Sequence, residues 1–382
     1  MPEPDAREGL RRQLAQLDPD LLASLRERGF RPERLLEWAR LIPQGVDRNR
    51  VPGTVEPPAP GDVARPPAAD SAEGERLTEL GMQALGEGRL ALAVLAGGMA
   101  TRMGGVVKAL VEALPGRTFL DLRLAEREHW AARSGGRLRL WVMSSAATDG
   151  LLREALAGAG PDVRVFEQAA SLRLTPEGDL FLGDDGLPSP HATGHGDLPD
   201  ALARSGLLDE FLAEGGRYVW IANLDNLGAG VDPLLLGWHI ENGGSLTVEV
   251  AARGADVGGI PVRWNGRPVV LEDFRLPAGF ERERVDVFNT NTLLADARAL
   301  AELDMPWTYF TVHKKVDDRP AVQFERLVGE LTSGLDSRFI EVPRSGPGSR
   351  FLPVKDADEL EARRPDIAAR VAPILGDSPH TP

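Results

Sequence analysis

The sequence contains no cysteine and very little lysine. The first absence excludes disulfide bonds, thiolate nucleophiles and metal sites built on cysteine. The 44 lysine and arginine residues include four lysines, and arginine supplies the other positive charges. A lysine in this chain is therefore expected where a compact point charge serves better than a guanidinium, as on a phosphate. The four lysines are Lys108, Lys314, Lys315 and Lys355.

The sequence also lacks a hydrophobic run of the roughly 20 residues that a membrane-spanning helix needs. Its N-terminus, MPEPDAREGL, is acidic and has neither the basic nor the apolar part of a signal peptide. We therefore predict a cytoplasmic protein. The formal net charge of -14 argues against nucleic acid and anionic membranes as partners. A small polyanionic substrate is compatible with it, because a pocket needs only local positive charge.

Two common phosphate-binding motifs are missing, since the sequence has neither the dinucleotide fingerprint G-x-G-x-x-G nor a Walker loop closed by Gly-Lys-Ser/Thr. It has instead the stretch 90–108, LALAVLAGGMATRMGGVVK, in which an apolar run meets Gly97 and Gly98. Glycine-rich backbone between a strand and a helix directs several N–H groups at one point and favours an anion. Glycines after a strand also form ordinary tight turns, so the stretch alone leaves both interpretations open.

The chain divides by composition into four parts. Helical spacing of leucines predicts an N-terminal helical segment over residues 1–50, and dense proline predicts an extended linker over residues 51–70. A further helix around residues 72–85 begins the third part, residues 71–345, which carries the recurring strand and helix pattern. A short C-terminal segment, residues 346–382, follows. The N-terminal helices are expected either to cover a sheet edge or to bind a partner.

Strand and helix patterns alternate after residue 90. Short apolar runs predict buried strands, and helical stretches fall between most of them. This alternation predicts a largely parallel sheet with helices on both faces and a ligand site at the carboxyl ends of the strands. Asn265-Gly266 then predicts the turn of an antiparallel hairpin. The predicted strands are 92–96, 138–143, 163–166, 218–222 and 246–251, and the predicted helices are 118–134, 148–157, 198–214 and 233–242.

Several sequence blocks together resemble one known family. LAVLAGGMATRMG is similar to the signature of the nucleotide-sugar pyrophosphorylases, and six further blocks follow in order. They are GHGDLPDAL, SGLLDEFLAEGGRYVWIANLDNLGAGVDP, GADVGGIPVRWNGRPVVLE, VFNTNTL, VQFERLVGEL and VPRS...SRFLPVKDADEL. Across roughly residues 85 to 360 the chain resembles the UTP–glucose-1-phosphate uridylyltransferases of eukaryotic type. A single block would be weak evidence, but the shared order is specific.

The resemblance implies a fold and a reaction. The expected fold class is α/β, Rossmann-like (glycosyltransferase-A-like), with a mixed, mostly parallel sheet flanked by helices and an N-terminal helical extension. The implied reaction converts UTP and a sugar 1-phosphate into a UDP-sugar and pyrophosphate, and the expected sugar 1-phosphate is glucose 1-phosphate. The implied cofactor is Mg²⁺. Members of the family associate through a long C-terminal β-helix, which is missing here, so a monomer or a small oligomer built in another way is expected.

The resemblance also assigns roles to single residues. It implies that Asp225 binds the metal, and that Arg102, Lys108 and Lys355 act on the phosphates. The implied nucleotide-binding residues are Ala96, Gly97, Gly98, Met143, Gln168, Gly194, His195 and Gly196. The implied sugar-phosphate residues are Asn223, Gly259, Glu272, Asn289 and Asn291. Read without the resemblance, Met143 would be a core residue, Gln168 a surface residue and FNTN a polar turn.

Two departures leave alternatives open. Ala100 replaces a family glycine, and GGVVK lacks the usual proline and is one residue short, which puts the position of Lys108 in question. One rival function is synthesis of UDP-N-acetylglucosamine or another UDP-sugar, toward which the VHKK segment leans. The other is a non-catalytic regulator that binds sugar nucleotides.

Overall fold

In the computed structural model of the protein, residues 6–100, 103–254, 256, 258–346 and 348–376 are described. Arg102, one of the predicted phosphate-binding residues, lies outside them. The α-helices are α1 (Ala6–Ala15), α2 (Pro19–Glu27), α3 (Pro32–Ala39), α4 (Ala72–Gly86), α5 (Phe119–Ser134), α6 (Asp149–Ala155), α7 (Leu198–Ser205), α8 (Leu207–Ala213), α9 (Pro233–Asn242), α10 (Ala297–Ala301), α11 (Leu331–Gly334) and α12 (Ala357–Leu375).

The strands alternate with these helices over much of the chain. They are β1 (Val55–Glu56), β2 (Val63–Ala64), β3 (Leu90–Leu95), β4 (Met99–Ala100), β5 (Val106–Val107), β6 (Glu112–Leu114), β7 (Arg117–Thr118), β8 (Arg139–Ser144), β9 (Val163–Glu167), β10 (Ala170–Leu172), β11 (Pro190–Ala192), β12 (Tyr218–Asn223), β13 (Leu246–Ala252), β14 (Ile260–Trp264), β15 (Arg267–Leu271), β16 (Val287–Asp296), β17 (Phe310–Val316), β18 (Arg319–Glu325) and β19 (Ser337–Glu341).

Eight strands form the central sheet in the order β2-β19-β13-β16-β12-β3-β8-β9. Strand β16 runs antiparallel to β13 and β12, and the other neighbours pair in parallel. The predicted mixed, mostly parallel α/β sheet is therefore confirmed. All five predicted strands are present, whereas the sequence pattern did not predict β16, which inserts between β13 and β12.

Two hydrophobic cores cover the faces of the sheet. Along β3, Leu90, Leu92 and Val94 join one core, and Ala91 and Ala93 join the other. Helices α4, α5, α9 and α12 pack on the first face, and α7, α8, α10 and α11 on the second. Burial on both faces explains why the central strands are continuous apolar runs. The predicted helix over 198–214 is divided at Gly206, which has φ 74.

The N-terminal helices pack on a third core, away from the central sheet. Leu10, Phe30 and Leu35 lie there with side chains of β10 and β18, including Leu172 and Phe324. The Trp38 ring lies 4.1 Å from that of Tyr309. Helices α1 to α3 thus cover the β10 and β17–β18 strands, which stand beside the mouth of the site described below.

The proline-rich stretch carries two short strands, each of which joins a different sheet. Strand β1 pairs with β14, and β2 adds to the edge strand β19. The predicted hairpin is present as β14–β15, with Asn265 and Gly266 at φ 49 and 83, the left-handed values that a tight hairpin turn needs. No helix in the described part of the chain combines the length and apolar character needed to cross a bilayer.

Candidate active site

A cleft of about 940 Å³ opens at the carboxyl ends of β3, β8, β9 and β12. A residue one or two positions after the end of each strand lines the cleft. Gly97 follows β3, Ser145 follows β8, Gln168 follows β9 and Asp225 follows β12. Because parallel strands end at the same edge of a sheet, residues distant in sequence meet there. The cleft lies at the sheet edge where the alternation of strands and helices predicts a ligand site.

The glycine loop is packed on one side and open on the other. Ser145 Oγ donates to the carbonyl of Gly97 at 2.9 Å, and the Lys108 amide donates to that of Gly98 at 3.3 Å. A Cβ on Gly97 would lie 2.2 Å from Gln168 Nε2, whereas one on Gly98 would meet nothing within 4 Å. A side chain at position 97 would therefore displace the Gln168 amide, and Gly98 leaves its backbone accessible to a ligand. Ala96 also lines the cleft, and its amide donates to the carbonyl of Met143.

Gln168 is nearly buried, with 6% of its surface exposed, yet it lines the cleft. Its Oε1 atom has no hydrogen-bond partner among the described residues. A buried amide oxygen without a partner is costly unless a ligand supplies the donor. Met143 beside it is fully buried in the second core as well as lining the cleft. The two side chains thus give this end of the cleft an apolar wall and one directed acceptor.

His195 sits on a short turn of 3₁₀-helix, His195–Asp197, between β11 and α7. Its Nδ1 accepts a hydrogen bond from the Val328 amide at 2.9 Å, so the ring proton is on Nε2. Burial lowers the pKa of His195 to about 4, which keeps the ring neutral. A neutral imidazole with its proton on Nε2 can donate one hydrogen bond into the cleft.

Close backbone packing explains why glycine stands on both sides of His195. A Cβ on Gly194 would lie 2.5 Å from the carbonyl oxygen of Arg326, and one on Gly196 would lie 2.7 Å from the Leu327 amide nitrogen. Gly194 lines the cleft. Gly196, predicted to bind nucleotide, is not part of the cleft wall over the described residues; its amide donates to the Arg326 carbonyl at 3.0 Å.

Asp225 and Lys108 form an ion pair inside the cleft. Lys108 Nζ lies 2.7 Å from Asp225 Oδ2, with 23% and 13% of the two side chains exposed. The Val354 amide donates to the same oxygen at 3.2 Å. Although GGVVK is short and lacks its proline, Lys108 therefore reaches the cleft. Lys355 follows Val354 but its side chain is 58% exposed, and its ammonium lies 3.9 Å from Asp256 Oδ1.

The predicted sugar residues form a chain of contacts that begins at the cleft wall. Asn291 Nδ2 donates to Asn223 Oδ1 at 2.9 Å, and the Asn291 amide donates to Asn289 Oδ1 at 2.9 Å. The Asn289 amide donates to the carbonyl of Gly259 at 2.8 Å. A Cβ on Gly259 would lie 2.7 Å from Glu272 Oε1. Burial raises the pKa of Glu272, so this carboxyl is held in a largely dry environment.

A bulge in β16 explains why FNTN is not a polar turn. The pairing of β13 with β16 shifts between Glu249 and Val250, which face Thr292 and Asn289 respectively. Asn291 lies in the extra residues and has φ 61, a conformation that asparagine tolerates better than most residues. Bulges are common beside active sites because they redirect a side chain. Here the bulge brings Asn291 to Asn223.

The structure adds cations to the cleft that the motifs did not indicate. Over the described residues its wall carries five basic side chains and two acidic ones, Asp225 and Glu325. That balance is the reverse of the net charge of -14 for the whole chain. The scarcity of lysine was the available signal, since three of the four lysines line the cleft. The basic residues are Arg28, Lys108, Arg173, Lys314 and Lys315.

Asp225 fits a metal site in which the ligand supplies most of the oxygens. Both of its hydrogen bonds among the described residues go to Oδ2, so Oδ1 keeps its lone pairs. The described residues contain no group of three or more histidine, aspartate or glutamate side chains suited to a metal ion. Mg²⁺ is commonly bound by one or two carboxylates together with substrate phosphates. The cleft can therefore hold a polyphosphate, with or without a divalent cation at Asp225.

A family model and a sequence relative show the family to which the chain belongs. Residues 61–369 match the family described as UTP–glucose-1-phosphate uridylyltransferase. A protein of that name from Solanum tuberosum is 33% identical over 333 residues, which cover 82% of this chain and 67% of the potato protein. A mutant UDP-glucose pyrophosphorylase from Leishmania major superposes with a TM-score of 0.71 and 22% identity, covering 94% of this chain and 79% of that one.

A second solved structure carries a different substrate in its name. The uridine diphosphate N-acetylglucosamine pyrophosphorylase from Trypanosoma brucei superposes with a TM-score of 0.69 and 21% identity. The match covers 96% of this chain and 85% of that one. At these identities the similarity to both solved structures shows a common fold. It does not indicate whether the sugar is glucose or N-acetylglucosamine.

Proposed function

The chain belongs to the UTP–glucose-1-phosphate uridylyltransferase family, and on that basis we propose that it converts UTP and glucose 1-phosphate into UDP-glucose and pyrophosphate. One observation of the structure carries the proposal. An acidic protein has a strand-end cleft whose wall is basic, with the Lys108–Asp225 pair beside a glycine loop. The cytoplasmic location remains a prediction.

The reaction needs positioning and charge neutralisation more than proton transfer. A phosphate oxygen of glucose 1-phosphate attacks the α-phosphorus of UTP, and the bond from that phosphorus to the bridging oxygen breaks to release pyrophosphate. The nucleophile is already an anion, so no strong general base is needed. The two polyanions repel each other, and holding them in line is where binding energy lowers the barrier. Lys108 and the other cations of the cleft would offset that repulsion.

We assign the nucleobase to the end of the cleft formed by Gly97, Met143 and Gln168. The Gln168 amide can pair with one donor and one acceptor of the uracil edge, and its Oε1 lacks a partner among the described residues. His195 would donate its Nε2 proton to a phosphate oxygen. As a neutral donor it would do so without its own titration near neutral pH.

The hexose is assigned to the side of the cleft where Asn223 contacts Asn291. Buried Asn289 and half-buried Glu272 continue this polar chain, and Gly259 allows the close approach of Glu272. Amide and carboxyl groups held by one another are suited to the several hydroxyls of a sugar. Arg102 and Lys355 stay as proposed phosphate contacts, although the side chain of Lys355 points to Asp256 in this structure.

We propose Mg²⁺ as the cofactor, held by Asp225 and the phosphates of the nucleotide. When bound, the ion would neutralise charge on the α-phosphate and the departing pyrophosphate. The protein residues keep separate tasks. The Val354 amide and the Lys108 ammonium fix the direction of the Asp225 carboxylate, which leaves one oxygen available.

Pyrophosphate release tests the proposal. The protein is incubated with Mg²⁺, UTP and, in separate reactions, glucose 1-phosphate, galactose 1-phosphate and N-acetylglucosamine 1-phosphate. We expect release with glucose 1-phosphate. Release with only N-acetylglucosamine 1-phosphate would move the assignment to that sugar. UTP binding without release from any sugar would identify a non-catalytic binding protein and reject the enzyme.

Replacing Asp225 tests the site itself. We expect Asp225→Ala to abolish turnover while the far-UV circular dichroism and melting temperature stay close to wild type, because the carboxylate lies on a loop at the cleft. Asp209→Ala, a change on the exposed face of α8, is the matched control and should keep full activity. Full activity of Asp225→Ala would remove this residue from the metal site.

A further inference from the structure

Arg123 is the most completely buried charged residue near the cleft, with 0% of its surface exposed. It lies in the second turn of α5, and its guanidinium donates to three backbone carbonyls at the end of β12 and in the loop that follows it. The acceptors are the carbonyls of Asn223 at 3.0 Å, Leu224 at 3.3 Å and Asn226 at 2.7 Å. These three residues bracket Asp225.

The charge of Arg123 is balanced by Glu126, one turn further along α5. Arg123 Nη1 donates to Glu126 Oε2 at 2.7 Å, and Glu126 Oε1 accepts from the Val231 amide at 2.6 Å. A Cβ on Gly230 would lie 2.6 Å from Glu126 Oε1, so a larger residue there would push the carboxylate away. The pair therefore holds both ends of the loop from Asn223 to Val231.

Helix α5 is a firm support for this pair. It begins with a capping box, in which Thr118 Oγ1 accepts from the Asp121 amide at 3.1 Å and Asp121 Oδ2 accepts from the Thr118 amide at 2.8 Å. Phe119, Leu120 and Leu122 of its first turn are buried in the first core. A contact made from α5 therefore ties the loop to the body of the protein.

We propose that Arg123 is a positioning residue that sets the direction of the Asp225 carboxylate for its metal and phosphates. The inference rests on the proposed function, since it assumes that Asp225 holds a divalent cation. Only arginine suits the place, because its planar group has five N–H donors in a fixed fork, whereas lysine has three on a single atom. Groups that orient metal ligands commonly change metal affinity or activity by about 10- to 100-fold when they are replaced.

A purely structural role predicts a different result. A buried ion pair can be retained for packing alone, and in that case its weakening lowers the melting temperature without changing the properties of the folded fraction. A positioning role predicts a loss in turnover and in metal binding that exceeds the loss of folded protein. The two roles are distinguished by measuring turnover, metal binding and melting temperature on the same samples.

The test compares Arg123→Lys with Arg139→Lys. Arg139 is also buried and also pairs with a carboxylate, Glu214, but it lies at the end of β8 remote from the cleft. We measure the melting temperature, kcat and KM for UTP, and the binding of Mn²⁺ in the presence of UTP by electron paramagnetic resonance. For Arg123→Lys we expect kcat to fall and the half-saturating Mn²⁺ concentration to rise, each by about 10- to 100-fold, while KM for UTP stays near wild type.

The controls decide the interpretation. Arg139→Lys should lower the melting temperature by less, because its partner Glu214 is 40% exposed, and it should keep wild-type kcat and Mn²⁺ binding. The inference is rejected if Arg123→Lys keeps both properties, if Arg139→Lys loses them equally, or if wild-type protein with UTP binds no Mn²⁺. Should Arg123→Lys fail to fold, the double variant Arg123→Gln, Glu126→Gln removes both charges and leaves neither unpaired. The same losses are expected for it.

The Mn²⁺ measurement separates this inference from the proposed reaction. If wild-type protein releases no pyrophosphate from any sugar 1-phosphate, the proposed reaction fails. The effect of Arg123→Lys on Mn²⁺ binding would still report on the position of Asp225. Normal turnover in wild type together with unchanged Mn²⁺ binding in the variant would leave the reaction in place and reject the role of Arg123.

Discussion

Lys108 and Lys355 differ in where their ammonium groups lie. That of Lys108 is inside the cleft, 2.7 Å from Asp225 Oδ2, and that of Lys355 is outside it, 3.9 Å from Asp256 Oδ1. We therefore expect Lys108→Ala to lower kcat by about 100-fold or more, the size of effect seen when one charge-stabilising group is removed from an active site. Lys355→Ala should cost less.

Steady-state pyrophosphate release measures both variants. Lys108→Arg serves as the control for charge, and a partial recovery relative to Lys108→Ala is expected because arginine keeps the charge but not the compact shape. The reverse order, a larger loss in Lys355→Ala than in Lys108→Ala, would mean that the side chain of Lys355 turns into the cleft during the reaction.

Single residues of the site differ in how far the sequence predicts them. Asn223 ends an apolar strand, and Gln168 and Asp225 lie one and two residues beyond a strand end. A parallel sheet gathers such positions at one edge. Arg28 and Arg173 belong to segments with no strand-end signal, and they reach the cleft because of tertiary packing. No local pattern carries that information, since it depends on which elements lie against each other.

At the scale of elements, helices α1 to α3 have no core of their own. Leu35 of α3 is fully buried against side chains of β10 and β18, and its neighbour Leu36 is only partly buried. We expect Leu35→Ala to lower the free energy of unfolding by about 2 to 5 kcal/mol, the cost of a buried leucine that leaves a cavity. Leu36→Ala should cost clearly less.

Urea denaturation followed by tryptophan fluorescence and by circular dichroism tests this expectation. The chain has seven tryptophans, so the fluorescence difference between the protein and its Trp38→Phe variant is used to report on the third core, and helix content reports on the whole chain. Coincident transitions are expected, because the N-terminal helices share their core with strands from the middle of the sequence. Two separate transitions, with Leu35→Ala shifting only the first, would instead support an independent N-terminal unit within residues 1–50.

The sequence pattern predicts which segments form strands better than it predicts which strands lie next to each other. The strands corresponding to β3, β8, β9, β12 and β13 were predicted from apolar runs bounded by polar turns. Strand β16 was missed because asparagine and threonine interrupt its apolar residues, and β2 was missed because it has two residues. Strand β19, SRFIE, was missed because only two of its residues, Phe339 and Ile340, are apolar. An antiparallel strand between β12 and β13 is a matter of long-range pairing, on which periodicity has no bearing.

At the scale of the whole molecule, buried histidines link stability to pH. Burial lowers the pKa of His191 to about 3 and that of His239 to about 4, from an ordinary value of 6.5. Between these values and 6.5 the unfolded chain binds protons that the folded protein does not. Stability should therefore fall as the pH falls below 6.5, by about 1.4 kcal/mol per pH unit for each such histidine.

Glu330 acts in the opposite direction. Burial raises its pKa to about 7, so the folded protein keeps a proton that the unfolded chain releases above 4.5. Its contribution to stability is present at low pH and is lost as the pH rises through 7. The change of the wild-type free energy of unfolding with pH is thus the difference between the histidine and glutamate contributions. A variant is needed to isolate one of them.

His239→Gln isolates one histidine away from the cleft, because His239 lies on α9 and its Nδ1 is 2.7 Å from Thr247 Oγ1. The variant should be less stable than wild type at pH 7.5, since it changes a buried hydrogen bond. The gap should narrow by about 2 kcal/mol between pH 6.5 and pH 5, because only wild type loses the histidine contribution there. Urea denaturation at pH 7.5, 6.5, 5.8 and 5 measures the gap. A gap that stays constant would mean that His239 does not remain neutral in the folded protein, and that its burial is relieved by water on protonation.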